Sequence, residues 1–238
     1  MMWQTFNGRC IYQSSNLSVY ENAFFRWLYL ESNAYQTMLY KRNPAKYGLY
    51  YVKTLGFFAR SLPGRSCLLG LGGGGVAHYL APSADHPLTI IEQHPEVIDI
   101  AWRFFMLDKL SSTHIICADA GAFMAQTHTF EHILIDLFDS HDMPSCCYDI
   151  AFYQQCFANL SATGLLAINL ADARKYLHIL HLLTSVHAQV LTLNIKRCNN
   201  LILVASCHKT YFLTKLLKQP ELNSLKWDSR FGYLAELK

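Results

Sequence analysis

Seven short apolar segments, separated by segments with helical spacing, lie between residues 66 and 206 and constrain the fold most strongly. Each is a nearly continuous apolar run, which is typical of a strand buried on both faces of a parallel sheet. Strands that alternate with helices predict a doubly wound α/β domain. We therefore predict a seven-stranded, mostly parallel, Rossmann-like sheet whose last two strands form an antiparallel hairpin at one edge. The predicted strands are residues 66–71, 88–92, 113–117, 130–136, 164–171, 189–195 and 200–206.

The first forty residues have a different pattern. The segments LSVYE (17–21) and FFRWLYLE (24–31) are rich in β-branched and aromatic residues and flank a short Asn-Ala turn, which predicts a β-hairpin. We therefore divide the chain into a short N-terminal β-hairpin region, residues 1–40, and a Rossmann-like nucleoside-binding catalytic domain, residues 41–238. In the second region, residues 43–62 have helical spacing, with Pro44 in the first turn.

A run of glycines follows the first predicted strand, at the edge where ligands bind in open parallel sheets. Glycine stands at position 70 and at each position from 72 to 75. Without side chains, this loop lets a ligand lie against the backbone, and a helix that begins there would point N–H groups at the ligand. A plain tight turn is the alternative explanation. The spacing of Gly70, Gly72 and Gly75 also fits a dinucleotide motif.

Acidic residues follow the next three strands. Glu92 ends the second strand about 20 residues after the glycines, where a carboxylate can hold both hydroxyls of a ribose. Asp119 follows the third strand and could accept a hydrogen bond from an adenine amino group, although a strand-end acid is often only a helix cap. Asp136 ends the fourth strand, with Asp139 close behind. Together with the glycines, these acids predict a nucleoside site, and the fourth-strand acid favours an S-adenosyl ligand over a dinucleotide.

Five segments, in order, resemble the polyamine aminopropyltransferases, or spermidine synthases. LYLESNAYQTML resembles the end of the family's hairpin and its YQEM segment, and LLGLGGGGVAHYL resembles its glycine motif. IIEQHPEVIDIAWRFF resembles VEIDPEVIEVARKYF, and CADAGAFM resembles GDGREFL. HILIDLFDSHDMPSCCYDIAFYQQC resembles DVIIVDSSDPxGPAxxLFTxEFYEx. The resemblance implies the class I S-adenosylmethionine methyltransferase fold.

The resemblance also implies an activity and a set of roles. The family moves an aminopropyl group from decarboxylated S-adenosylmethionine to an amine, and its members are usually dimers. Asp136 would be the base and Asp139 would help to hold the cationic amine, while Tyr35 would line the substrate site. The implied nucleoside-binding residues are Gln36, Gly70, Gly72, Gly73, Gly74, Glu92, Gln93, Asp119 and Ala120.

The chemistry of amines supports this interpretation. An alkyl amine, like the side chain of lysine with a pKa of about 10.4, is mostly protonated at neutral pH and is then not a nucleophile. A carboxylate at the reaction point binds the cation and can accept its proton as the new bond forms. Asp136, Asp139 and Asp142 lie close together in sequence, which suits a cationic substrate.

Several positions depart from the family's pattern. Gly73 stands where the motif GGGDG has an aspartate that holds the amino end of the donor, and His94 replaces the acid of EID. Ser140 replaces a proline, and KRCNN (196–200) replaces the segment with the Tyr-Pro pair. Two alternatives therefore stay open: a methyltransferase that uses intact S-adenosylmethionine, and a non-catalytic protein that binds an adenosyl nucleoside.

Composition excludes several other classes. The 238 residues carry a formal net charge of +3 without a block of Lys and Arg, which argues against a nucleic-acid partner. No apolar stretch reaches about 18 residues and the N-terminus does not resemble a signal peptide, so we predict no membrane association. Eight scattered cysteines without a CxxC pair indicate reduced thiols in the cytoplasm. We expect no metal, and a homodimer as in the resembled family.

Overall fold

The computed structural model describes residues 8–30, 34–46, 48–138, 143–195 and 198–237, with only the backbone at residues 30 and 34–36. In the part of the chain that it describes, no helix is long and apolar enough to cross a membrane.

The predicted N-terminal hairpin is the centre of a four-stranded antiparallel sheet. Its strands follow one another in sequence order: β1 (Arg9–Gln13), β2 (Leu17–Glu21), β3 (Phe25–Leu30) and β4 (Ala34–Tyr40). Alternate residues of β2 are buried, as expected of a strand with one face against a core. The N-terminal region therefore contains four strands, whereas the sequence predicted a single hairpin of two.

All seven strands predicted for the large sheet are present. They are β5 (Ser66–Leu69), β6 (Leu88–Glu92), β7 (Thr113–Cys117), β8 (Phe130–Ile135), β9 (Leu160–Leu170), β10 (Gln189–Asn194) and β11 (Leu201–Ser206). Two further strands, β12 (Leu222–Asp228) and β13 (Gly232–Leu237), extend the sheet to nine, in the order β12-β13-β10-β11-β9-β8-β5-β6-β7.

The predicted hairpin of the last two strands does not lie at an edge. β11 pairs antiparallel with both β9 and β10, and β13 pairs parallel with β10 on its other side. Since β13 satisfies the backbone groups that β10 would otherwise leave unpaired, the edge of the sheet moves outward to β12. The pairs β5–β6, β6–β7, β5–β8 and β8–β9 are parallel, as predicted.

Helices connect these strands. They are α1 (Tyr50–Ser61), α2 (Gly75–Leu80), α3 (Pro95–Phe104), α4 (Ala120–Met124), α5 (Ile150–Ala158), α6 (Tyr176–Ser185) and α7 (Lys209–Leu217). The first begins later than predicted, because residues 43–46 form a turn closed by a bond from Lys46 N to Asn43 O at 3.0 Å. The sequence did not predict α7.

The core lies on both faces of the large sheet. Leu68, Ile90 and Leu134 contribute to one apolar cluster, and their chain neighbours Leu69 and Ile135 contribute to the cluster on the opposite face. This alternation follows from the two-residue period of a strand, and it explains why the strand sequences are continuously apolar. The parallel strands are thus covered on both faces, and their carboxyl ends lie along one edge of the sheet.

The small sheet packs against α3. Its buried residues Leu17, Val19 and Leu28 form a third cluster together with Ile100 and Phe105. At the rim of this contact, Tyr12 Oη donates a hydrogen bond to Glu96 Oε1 at 3.0 Å. The small sheet is thus fixed beside the glycine loop.

Candidate active site

Backbone hydrogen bonds bring the residues after the central strands to one edge. Gly70 N donates to Ile91 O at 2.8 Å, and Asp136 N donates to Leu69 O at 2.9 Å. Ala118 N donates to Glu92 O at 3.1 Å. The glycine loop, Glu92 and Asp136 therefore meet, and Asp119 lies one strand further along.

Gly70 is required by a close approach of two backbones. Its φ is +96°, and a Cβ at this position would overlap the carbonyl oxygen of Asp136. Gly72 and Gly74 also have positive φ, at +51° and +75°. These three residues therefore form a turn that L side chains rarely adopt, and the turn places the loop directly beside the end of β8.

Gly73 is required by packing rather than by backbone conformation. A Cβ there would lie 2.9 Å from Phe105 Cδ1 and 2.9 Å from Thr37 Cβ. Its N–H donates to Thr37 Oγ1 at 2.8 Å, and Gly74 N donates to Leu71 O at 2.9 Å. These two N–H groups, which precede α2, are therefore used within the protein.

Glu92 is buried beneath the loop. Its Oε2 accepts a hydrogen bond from Leu71 N at 3.1 Å and its Oε1 accepts one from His94 N at 2.9 Å. A carboxylate oxygen has two acceptor positions, so each can still accept a further bond, as a ribose would require. Gln93 is exposed, with its Nε2 3.0 Å from His94 Nε2.

Asp119 is the N-cap of α4. Its Oδ1 accepts a hydrogen bond from Ala122 N at 2.8 Å, the capping role that was the alternative explanation for this residue. The side chain is exposed, and the following Ala120 is buried. Asp119 can therefore present its second oxygen to a ligand while it caps the helix.

Asp136 lies in a cleft of about 320 Å³ that also borders the glycine loop at Gly72 and Gly75. Tyr51 Oη donates to its Oδ2 at 3.0 Å, and Asn169 Nδ2 donates to its Oδ1 at 2.8 Å. Burial raises the pKa of Asp136 above its ordinary value, and these two hydrogen bonds partly offset that rise. The cleft thus holds a carboxyl group whose partners are neutral.

Sequence patterns predict no role for the residues that hold Asp136. Tyr51 comes from α1 and Asn169 from β9, while Asn200 donates to Asn169 Oδ1 at 2.9 Å from the turn before β11. One signal was available: Asn169 interrupts the apolar run GLLAINLA just before its end. No local pattern indicated Tyr51 or Asn200.

Three predicted site residues cannot be placed. The side chains of Tyr35 and Gln36 and all of Asp139 lie outside the described residues, as does Asp142. Their roles stay predictions. The described site therefore consists of the glycine loop, Glu92, Asp119 and the cleft around Asp136.

Known proteins resemble this chain in sequence over most of its length. No family model matches the chain. A polyamine aminopropyltransferase of Neisseria meningitidis serogroup A is 27% identical over 215 residues, which cover 86% of this chain and 82% of the relative. One of Vibrio vulnificus is 28% identical over 178 residues, covering 70% of this chain and 59% of the relative. The chain is thus similar to polyamine aminopropyltransferases at less than 30% identity.

Solved structures confirm the predicted fold class. A probable spermidine synthase from Corynebacterium glutamicum has a TM-score of 0.68 at 17% identity, covering 82% of this chain and 78% of that one. A spermidine synthase in complex with the transition state analogue AdoDATO has a TM-score of 0.65 at 17% identity, covering 84% of this chain and 74% of that one. Human methyltransferase-like protein 13 in complex with SAH has a TM-score of 0.60 at 18% identity, covering 77% of this chain and 97% of that one.

Proposed function

We propose that this protein transfers an aminopropyl group from decarboxylated S-adenosylmethionine to a small amine, with Asp136 as the base. The observation that carries the proposal is the cleft in which Asp136 faces the glycine loop, held by Tyr51 and Asn169. The relatives named polyamine aminopropyltransferases support it.

In this proposal the glycine loop and the acids beside it bind the nucleoside. The glycines leave room for the donor, Glu92 accepts from the ribose hydroxyls, and Asp119 accepts from the adenine amino group. Gln93 and Ala120 adjoin these two acids, and Gln36 completes the nucleoside contacts. On the amine side, Tyr35 and Asp139 join Asp136.

Asp136 performs the proton transfer. The amine nitrogen bonds to the propyl carbon of the donor as the bond from that carbon to sulfur breaks. The sulfonium supplies the leaving group, so 5′-methylthioadenosine departs with the bonding electrons. The proton lost by the amine passes to Asp136, whose raised pKa favours accepting it. Positioning of the two reactants supplies much of the remaining acceleration.

The test is an assay with decarboxylated S-adenosylmethionine and a panel of mono-, di- and triamines. We expect equal amounts of 5′-methylthioadenosine and of an amine enlarged by one aminopropyl group. Intact S-adenosylmethionine is the matched donor control. A methylated product from intact donor would instead establish the methyltransferase alternative, and tight nucleoside binding without any product would establish the non-catalytic one.

Assembly and location belong to the same proposal. We propose a homodimer in the cytoplasm that acts on small molecules, supported by the likeness to polyamine aminopropyltransferases. Light scattering across a concentration series measures the oligomeric state, and a constant monomer mass would contradict the dimer.

A further inference from the structure

A chain of hydrogen bonds leads from Asp136 to the turn between β10 and β11. Asn169 Nδ2 donates to Asp136 Oδ1 at 2.8 Å, and Asn200 Nδ2 donates to Asn169 Oδ1 at 2.9 Å. All three residues line the same cleft. Asn169 is buried at the carboxyl end of β9, and Asn200 is partly buried.

This geometry fixes which end of the Asn169 amide faces Asp136. The amide has one acceptor end and one donor end. Asn200 donates to the acceptor end, so the donor end is directed to the carboxylate. If the amide were reversed, its oxygen would face the oxygen of Asp136 and its nitrogen would face the nitrogen of Asn200. Asn200 therefore disfavours the reversed orientation at both ends.

The groups around Asp136 make the hydrogen bond from Asn169 important for the stability of the ionised carboxylate. Among the described residues that line the cleft, the other titratable groups are Tyr50 and Tyr51 on α1 and Cys198 on the turn, and none is Lys, Arg or His. Burial, and then the nearby Asp136, raises the pKa of Tyr51, and burial raises the pKa of Cys198, so both remain neutral. The ionised form of Asp136 is thus stabilised here by neutral hydrogen-bond donors.

We propose that Asn200 is a positioning residue that acts through Asn169 to keep a hydrogen-bond donor on Asp136 and so sets the proton affinity of the base. This inference rests on the proposed function only for its catalytic meaning, because the proton affinity itself can be measured without turnover. A turn remote from Asp136 in sequence would thereby adjust the group that accepts the substrate's proton.

The test is a ¹³C NMR titration of the aspartate carboxyl carbons in the full chain. The Asp136 signal is assigned by its loss in Asp136→Asn. In Asn169→Ala we expect the titration midpoint of Asp136 to rise by about one pH unit, a tenfold change in proton affinity, because a charge-assisted hydrogen bond is lost. In Asn200→Ala we expect a smaller rise in the same direction, since the amide is freed rather than removed.

The double variant Asn169→Ala/Asn200→Ala separates action through Asn169 from any direct effect. We expect its midpoint to equal that of Asn169→Ala. The proposal would be overturned if the midpoint of Asp136 in Asn200→Ala equalled that of wild type. It would also be overturned if Asn200→Ala raised the midpoint by the same amount in the Asn169→Ala background as in wild type. Asn16→Ala, in the exposed turn between β1 and β2, is the matched control and should leave the midpoint unchanged.

Asn200→Leu keeps the side-chain size without adding a charge and serves if Asn200→Ala does not fold. It removes the donor that orients Asn169, so we again expect a small rise in the midpoint of Asp136. An unchanged midpoint would again overturn the proposal. If the midpoints move as expected but wild type transfers no aminopropyl group, the positioning role stands and the proposed function fails. In an active enzyme, the acidic limb of kcat/KM against pH should move with the midpoint.

Discussion

Two carboxylates in this protein, the buried Glu21 and the partly buried Asp136, have opposite surroundings. Glu21 in β2 accepts from three cations: Arg9 Nη2 at 2.8 Å, Arg26 Nη2 at 2.6 Å and Lys41 Nζ at 3.2 Å. The hydrogen bonds from Arg26 and Arg9 lower its pKa to about 2. Among the described residues, the side-chain partners of Asp136 are neutral, and burial raises its pKa.

The difference distinguishes a carboxylate with a structural role from one that we propose accepts a proton. Glu21 is always ionised near neutral pH and joins three strands, and Arg26 also donates to the carbonyl oxygen of Phe104 at the end of α3. Such a group cannot accept a proton readily. Asp136 has no fixed cation in its described surroundings, so a cationic amine is a suitable partner and a proton is easily accepted. Perturbed acids of both kinds are common, and their partners distinguish them.

The largest expected effect comes from removing the negative charge of each acid in turn. Asp136→Asn should reduce kcat for aminopropyl transfer by about 10²–10⁴-fold, the usual contribution of a general base. Glu21→Gln should change kcat far less at a temperature where it is folded. Rates of 5′-methylthioadenosine release measure both, and an active Asp136→Asn would exclude Asp136 as the base.

The second effect is on stability. Glu21→Gln should lower the free energy of unfolding at pH 7 by about 1–2 kcal/mol, because the pKa of Glu21 falls from 4.5 to about 2 on folding while solvent around the exposed Arg9 screens part of the gain. In wild type this contribution is present above pH 4.5 and is lost as the pH falls toward 2. Urea unfolding at several pH values measures it.

The matched control for that experiment is Asp99→Asn. Asp99 pairs with Arg103 at 2.9 Å, but both side chains are about half exposed. An exposed pair of this spacing contributes only about 0.3–0.5 kcal/mol. A Glu21→Gln loss no larger than that of Asp99→Asn would show that the small sheet does not depend on its ionic cluster.

The third effect comes from adding a carboxylate beside the cleft. Gly73→Asp places a side chain against Thr37 and Phe105, and overpacking of this kind costs about 1–3 kcal/mol. The double variant Thr37→Ala/Gly73→Asp should be no more stable than Gly73→Asp, because alanine keeps the Cβ that the new side chain meets and removes the acceptor of Gly73 N. Thermal unfolding of each variant measures both.

Gly75→Ala is the control for this third experiment. A Cβ at Gly75 would make ordinary contact with Thr37 Cγ2 at 3.5 Å, so little loss is expected. Equal losses from Gly73→Asp and Gly75→Ala would contradict the packing explanation for Gly73.

The central strands of the large sheet and the residues at their ends were predictable from local sequence patterns. The strands that end at or just before Gly70, Glu92 and Asp136 are continuous apolar runs because both faces of the sheet are buried, and a polar or glycine residue marks where each ends. The additional strands β12 and β13 were not predicted, because their residues are mostly partly exposed and have little periodicity.

Contacts between distant segments could not be predicted in this way. Tyr51 and Asp136 are 85 positions apart, and Thr37 and Gly73 are 36 apart. Each contact exists only because the small sheet and α1 pack beside the ends of the parallel strands. The bond from Gly73 N to Thr37 Oγ1, and the lack of room for a Cβ beside Thr37, further show that a glycine of this loop serves packing within the protein.

The most direct measurement is one carboxyl ¹³C NMR titration that follows Glu21 and Asp136 in the same sample of wild-type protein. We predict that Glu21 titrates at about pH 2, well below an ordinary glutamate, while Asp136 titrates above an ordinary aspartate. If Asp136 instead titrated at or below the ordinary aspartate value, its neutral surroundings would not favour the protonated form, and its assignment as the group that accepts the substrate's proton would be contradicted.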